Sequence, residues 1–180
     1  MQKISTLHNK ETIQYGLLSG GIAILIFIVL YILGAEYFLS PFAWISSYLL
    51  PVLFAVLGGI AVKRKNNGYL NFNEALKVSF GVLVITGLLS TLFSFLIFHY
   101  LDVAFADRMK QLTVEKAQEA MIRFKVPENE MEKALDKISE QDIYSIGSLT
   151  KSFAYVCILY FIEALIISAI IKKKKPELEF

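Results

Sequence analysis

The stretch VSFGVLVITGLLSTLFSFLIFHY, residues 78–100, contains 23 residues without an aspartate, glutamate, lysine or arginine. A helix needs about 20 apolar residues to cross a hydrocarbon core of roughly 30 Å. Apolar stretches of similar length occupy residues 15–34, 42–62 and 153–171, with 20, 21 and 19 residues, and the last contains one acid, Glu163. Inside lipid, only helices and closed barrels satisfy the backbone's polar groups, and these runs lack the alternating pattern of barrel strands. The sequence therefore predicts four transmembrane helices.

The overall composition also indicates a membrane protein. Hydrophobic residues make up 56% of the 180 residues and charged residues 19%, whereas soluble domains carry roughly 25% charged residues. The first span is too long for a secretory signal, whose apolar region has about 7 to 15 residues. We predict an all-α membrane protein in which residues 1–180 form a single four-helix transmembrane domain.

The distribution of charge predicts how the chain is oriented in the membrane. Three segments, residues 1–14, 63–77 and 172–180, carry net charges of +1, +3 and +2, and a four-span chain places all three on one side. The connections on the opposite side carry −1 and −2. Basic residues tend to stay in the cytoplasm, so both termini are expected there. At the membrane edge these cations face anionic lipid headgroups, which argues against a nucleic-acid partner.

The long connection between the third and fourth spans is expected to form a helical insertion, residues 101–148. Its pattern predicts two amphipathic helices, residues 103–124 and 127–139, separated at Pro127. Two helices with apolar faces favour a hairpin. The sequence leaves open whether the hairpin binds an envelope protein, packs on the membrane surface, or presents a merely solvated charged face.

Small residues within the spans predict where helices approach each other closely. Lipid tails surround leucine as well as protein does, so helix association in a membrane depends on close backbone contact. The candidate packing residues are Gly16, Gly20, Gly58, Gly59 and Gly87.

Glu163 lies close to the middle of the fourth span, where an acidic side chain costs about 2.5 to 3.5 kcal/mol. No lysine, arginine or histidine lies within any span away from its ends. A carboxyl group without a cation is expected to stay neutral and to hydrogen-bond a hydroxyl group, with Ser90, Thr91, Ser94 or a tyrosine as candidate partners. Glu163 then either joins two helices or takes part in a proton or cation relay.

The sequence contains no recognisable catalytic constellation. His8 and His99 are expected at opposite faces of the membrane and Cys157 is the only cysteine, which argues against a metal site and a disulfide within one chain. No glycine-rich phosphate loop is present, and no serine has an adjacent base to activate it. We expect no enzymatic activity, no catalytic residue and no cofactor.

The segment before the third span predicts how that helix begins. Asn71 or Asn73 is suited to cap a helix whose first turn contains Glu74, because an acid is favourable at the positive end of a helix.

Several segments in a fixed order resemble a bacterial family of four-span membrane proteins, catalogued as a domain of unknown function with the number four thousand one hundred and ninety-nine. The matching segments are residues 15–20 (YGLLSG), 63–65 (KRK), 67–77 (NGYLNFNEALK) and 80–81 (FG), followed by the helical loop, the fourth span and the lysine-rich end. The family often has an Asp-Pro pair after the third span, where this chain has Asp102-Val103. The resemblance implies the topology and a location in the inner membrane of a bacterium, and it carries no assigned reaction.

Two hypotheses of function follow from the sequence. The first is a non-catalytic interaction or assembly module of the cell envelope, which binds a protein partner through residues 101–148. The second is a small transporter or channel subunit that uses Glu163, and it requires a homo-oligomer because four helices alone hardly enclose a polar path.

Overall fold

A computed structural model describes residues 2–140 and 145–175, with side chains from Asn9 onward. The side chains of Lys3 and His8, and all of Glu177 and Glu179, lie outside this description. The described helices, in chain order, are α1 (Gln2–Leu33), α2 (Ala35–Phe38), α3 (Pro41–Lys65), α4 (Phe72–Leu96) with a π-helical continuation (Ile97–Leu101), α5 (Val103–Arg123), α6 (Glu128–Glu140) and α7 (Ile146–Ile171).

Four of these helices contain segments long and apolar enough to cross a membrane: Asn9–Leu33, Pro41–Lys65, Phe72–Leu101 and Ile146–Ile171. The prediction of an all-α membrane protein is thereby confirmed. Helix α1 begins well before the predicted span, because backbone hydrogen bonds continue a helix through polar residues that lie outside the apolar run. It ends at Leu33, and the next residue is Gly34, whose φ of 114° lies in a region that L side chains rarely adopt.

Helix α4 is at the centre of the bundle. It packs against α1, α3 and α7, and α3 also contacts both α1 and α7. In the described part of the chain, α1 and α7 do not contact each other, so α4 separates them. Many apolar side chains point away from the bundle, including those of Ile32 and Ile170, each 76% exposed. Such an outer surface is what a hydrocarbon environment requires.

The predicted packing glycines lie at helix contacts. A Cβ atom added to Gly16 would come within 2.7 Å of Ile85 Cβ, and one added to Gly20 within 3.1 Å of Leu89 Cβ. Both neighbours belong to α4, so this GxxxG pair faces a helix of the same chain. The remaining three glycines also face other helices: Gly58 lies against Tyr15, Gly59 against Ile171 and Gly87 against Tyr160.

The bundle is packed most densely at the end where α3 finishes and α4 begins. The core there contains Ala55, Val62, Leu70, Ala75, Val78, Val82, Leu83, Ala164, Ile167 and Ile171. The backbone of Leu70 pairs with that of Lys173, with N···O distances of 2.9 and 2.8 Å. Lys63 Nζ donates a hydrogen bond to the carbonyl oxygen of Ile171 at 2.7 Å and so caps the end of α7. The basic loop and the lysine-rich tail therefore lie together, at a surface that we call the basic end.

The insertion forms the predicted hairpin, with helices at Val103–Arg123 and Glu128–Glu140. Among described elements, α6 contacts only α5. The first turns of α5 are held by the bundle, because Phe105 and Met109 are buried beside Phe98 and packed against Phe27 and other aromatic side chains. The hairpin is thus fixed at its base, and its far end extends beyond the bundle.

Asp102 joins the base of the hairpin to α1. Its carboxylate accepts hydrogen bonds from Tyr31 Oη at 2.6 Å and from the Phe105 backbone N–H at 2.9 Å, so it caps α5 while binding a second helix. The hydrogen bond from Tyr31, followed by that from the Phe105 backbone, holds the pKa of Asp102 below its usual range.

Replacing Asp102 by alanine is expected to lower the melting temperature in detergent by a few degrees and to speed hydrogen exchange in the first turn of α5. Because the folded-state pKa is depressed, the Asp102 contribution is present above the unfolded-state pKa and is lost as pH falls through the folded-state pKa. The difference between wild type and variant should therefore shrink in acid. Asp107→Ala, which removes an exposed acid from the same helix, is the control. Equal effects of the two substitutions would contradict the capping role.

Candidate functional site

A cavity of about 460 Å³ lies within the bundle, in the half remote from the basic end. It forms because α7 packs tightly only toward its C-terminal end: every buried residue of α7 lies at or beyond Ala164. Side chains from four helices form the walls. They come from residues within Ala23–Leu30 of α1, Ala43–Pro51 of α3, Thr86–Phe98 of α4 and its continuation, and the N-terminal part of α7. Phe38, Phe98 and Met109 also line the cavity and belong to the aromatic cluster at the base of the hairpin.

Hydroxyl groups from two helices line this cavity: Ser46 and Ser47 of α3, and Thr86, Ser90, Thr91 and Ser94 of α4. Four of them donate to carbonyl oxygens of their own helix, for example Ser47 to Ala43 at 2.7 Å and Ser94 to Ser90 at 2.9 Å. In the described chain, Ser90 and Thr91 donate no side-chain hydrogen bond, nor does the Tyr160 hydroxyl of α7, which also lines the cavity. The cavity thus presents unused donors on otherwise apolar walls.

Glu163 lines a second cavity of about 310 Å³. Phe38, Ala43, Ser47, Val156 and Tyr160 line both cavities, which therefore adjoin. The second cavity is also lined by Trp44, Tyr48 and Leu159, which are 57%, 50% and 49% exposed, so it opens on the outer face of the bundle between α3 and α7.

The sequence led us to expect a hydrogen bond between Glu163 and Ser90, Thr91 or Ser94. The structure does not bring these side chains together. The three hydroxyl residues line the larger cavity, and Glu163 lines the smaller one. The reason is Tyr160, one turn before Glu163, whose ring lies so close to Gly87 that an added Cβ there would be 2.7 Å from Tyr160 Cε2. No hydrogen bond to the Glu163 carboxyl group is found from residues 9–140 or 145–175.

Sequence reasoning missed two residues. Tyr160 separates the two cavities, and its spacing of three residues from Glu163 places both on one face of α7. Glu11 is 2% exposed, and its carboxylate forms an ion pair with the ammonium group of Lys65. The sequence did not predict the burial of Glu11, because the apolar run starts only after it, at Tyr15.

The described side chains contain no group of three or more His, Cys, Asp or Glu residues that could hold a metal ion. His99 stacks on Phe95 with ring centroids 5.0 Å apart, and Cys157 is a half-buried free thiol. Chemically, the two cavities offer hydroxyl donors, one carboxyl group and apolar walls, which suit the binding of a polar group inside a membrane.

Comparison with protein families gives a match over most of the chain. The family described as "Protein of unknown function (DUF4199)" matches residues 14–173, which include most of the first span, the other three spans and the hairpin. Neither the curated proteins nor the solved structures contain a match to the chain.

Proposed function

We propose a function for this chain, which belongs to the DUF4199 family, as the resemblance of its segments predicted. The protein is a non-catalytic interaction or assembly module of the cell envelope. It crosses the bacterial cytoplasmic membrane four times, keeps both termini in the cytoplasm, and presents the α5–α6 hairpin outside as the surface that a protein partner binds.

The single observation that carries this proposal is the packing of α6 on α5 alone. A helix that contributes nothing to the bundle core does not help to hold the spans together. We therefore infer that α6 serves in binding rather than in stability. Near its tip the hairpin also exposes two large apolar side chains, Ile122 at 59% and Phe124 at 80%. Large apolar side chains that extend this far from a core are typical of binding surfaces.

The hairpin is tested by site-specific photo-crosslinking in native membranes. A photoreactive residue at Phe124 or Lys133 is expected to yield adducts with one defined protein, whereas the same residue at Leu49, which is 64% exposed on α3, is expected to yield lipid adducts. Phe124→Ser should reduce the adduct formed at Lys133 several-fold without changing the melting temperature. Lipid adducts alone from both hairpin positions would contradict the proposed role.

The proposed orientation is supported by the clustering of cationic side chains at the basic end. The backbone pairing of Leu70 with Lys173 brings the C-terminal lysines beside the α3–α4 loop, and each lysine near an anionic leaflet contributes about 1 kcal/mol of attraction.

A green fluorescent protein fused to the carboxyl end is expected to fluoresce, and an alkaline phosphatase at the same place to be inactive. In a Cys157→Ser background, Lys133→Cys on α6 should react with a membrane-impermeant maleimide added to intact spheroplasts. Leu49→Cys on α3 serves as the lipid-facing control and should not react. An active phosphatase fusion, or a Lys133→Cys that does not react, would contradict the proposed orientation.

A small oligomeric transporter or channel subunit is the second candidate, and the position of Glu163 favours it. Its carboxyl group lines an open cavity and has no hydrogen bond from the described residues. Carboxyl groups placed in this way occur along ion and proton pathways. Flux measured in liposomes should then fall at least tenfold in Glu163→Gln. Equal flux in both proteins, or no flux in either, would refute this candidate.

A further inference from the structure

We infer that the larger cavity binds an uncharged membrane amphiphile: one hydrocarbon chain whose head carries hydroxyl or ester carbonyl groups, as in an acylglycerol. The inference concerns the interior of the bundle and does not depend on the proposed role of the hairpin. It rests on four observations about the cavity: its depth in the membrane, its mouth, its charge and its unused hydrogen-bonding groups.

The depth of the cavity indicates where the ligand comes from. The walls begin near the middle of the spans, at Thr86 and Tyr160, and reach the aromatic cluster at the base of the hairpin. The core at the basic end closes the cavity on one side, and Phe38, Phe98 and Met109 lie at the other. The adjoining smaller cavity opens between α3 and α7, on a face that carries exposed aromatic and aliphatic side chains. A ligand therefore enters sideways from the lipid.

The charge of the lining selects the head group. Among the described residues, neither cavity is lined by a lysine, arginine or histidine, and Glu163 supplies the only carboxyl group in the two linings. A phosphate group would enter without a cation and close to a carboxyl group, which is unfavourable in a medium of low dielectric constant. An uncharged head avoids this cost.

The unused hydroxyl groups provide the contacts for such a head. Ser90 and Thr91 on α4 and Tyr160 on α7 can each donate one hydrogen bond, and none is used within the described chain. Ester carbonyl and hydroxyl oxygens accept such bonds. Polar donors facing hydrocarbon are costly when unpaired, so binding an acceptor is favourable. The apolar lining, which includes Ile24, Phe27 and Leu50, accommodates the chain. A volume of about 460 Å³ lies within the usual range of small-molecule sites.

The test uses the full-length protein in nanodiscs and a monoacylglycerol with a photoreactive diazirine in its acyl chain. Mass spectrometry is expected to find the label on cavity residues, in peptides that contain Phe27, Leu50 or Phe93. Excess unlabelled monoacylglycerol should remove this labelling. Excess phosphatidylglycerol and excess hexadecane should leave at least half of it, since one lacks an uncharged head and the other lacks a head altogether.

The double variant Ser90→Ala/Thr91→Val keeps the volume of the cavity and removes two donors. It should lower the labelling about tenfold, as expected for the loss of two neutral hydrogen bonds. Thr150→Val is the matched control, because Thr150 also lies in a span, donates to Ile146 O at 2.7 Å and lines neither cavity. Equal labelling of the two variants, equal competition by phosphatidylglycerol or hexadecane, or a label confined to the outer lipid-facing surface would each overturn the inference. These results are independent of whether the hairpin gives protein adducts.

Discussion

Gly16→Ala is expected to lower the free energy of unfolding in detergent by roughly 2 kcal/mol, because it forces α1 away from α4. The added Cβ would lie 2.7 Å from Ile85 Cβ and 2.8 Å from Ile85 Cγ2. The first of these atoms is fixed by the backbone of α4 and cannot turn away. Excess volume in a packed interior typically costs about 1 to 3 kcal/mol. Reversible unfolding monitored by circular dichroism in mixed micelles measures the loss.

Gly21→Ala provides a matched control within the same helix. No atom lies within 4 Å of the Cβ position at Gly21, so the added methyl group meets no other helix. The substitution should leave stability unchanged or raise it by up to about 1 kcal/mol, since alanine favours a helix more than glycine does. Similar stabilities for Gly16→Ala and Gly21→Ala would show that α1 does not depend on close contact with α4.

Lys65→Ala is expected to destabilise the protein, because it leaves the buried carboxylate of Glu11 without its cation. The Glu11 side chain is 3% exposed, and the Lys65 ammonium group is its partner. Removing one member of a buried ion pair costs about 3 to 5 kcal/mol. The Lys65 side chain is 51% exposed and partly screened by solvent, so we expect a smaller loss, about 1 to 3 kcal/mol.

A double-mutant cycle separates this effect from the loss of a surface lysine. Glu11→Gln removes the charge that Lys65 balances, so Lys65→Ala should cost much less in that background. Arg64→Ala removes a neighbouring exposed cation and should change stability by less than about 0.5 kcal/mol. If Lys65→Ala were as mild as Arg64→Ala in the wild-type background, the pair with Glu11 would contribute nothing to stability.

Local features of the structure could be predicted from the sequence because neighbouring residues determine them. Both hairpin helices lie within one residue of their predicted bounds, since Pro127 interrupts the helix and the apolar pattern marks each face. The start of α4 is another case: Asn71 is the N-cap, and its backbone N–H donates to Glu74 Oε2 at 3.1 Å. The sequence had left Asn71 and Asn73 open as alternatives.

The candidate site could be predicted only in part. The sequence drew attention to Glu163 because a carboxyl group in a long apolar run is conspicuous without any structure. It could not show that Tyr160 separates Glu163 from Ser90, Thr91 and Ser94, since this depends on how a ring of α7 packs against Gly87 of α4. It also gave no indication of the cavity, because the loose packing of the N-terminal part of α7 leaves no mark in the sequence of that helix.

The sequence by itself determined that the chain has four helices long and apolar enough to cross a membrane and that a hairpin separates the last two. Lipid imposes this result, because each span must satisfy its backbone polar groups within its own helix, whatever its neighbours do. Only the tertiary structure decided that α4 lies at the centre, that Glu11 pairs with Lys65, and that hydroxyl groups of α3 and α4 line one cavity. These features depend on which helix faces meet. In a membrane that choice rests on side-chain packing between helices, to which a hydrophobicity pattern contributes little.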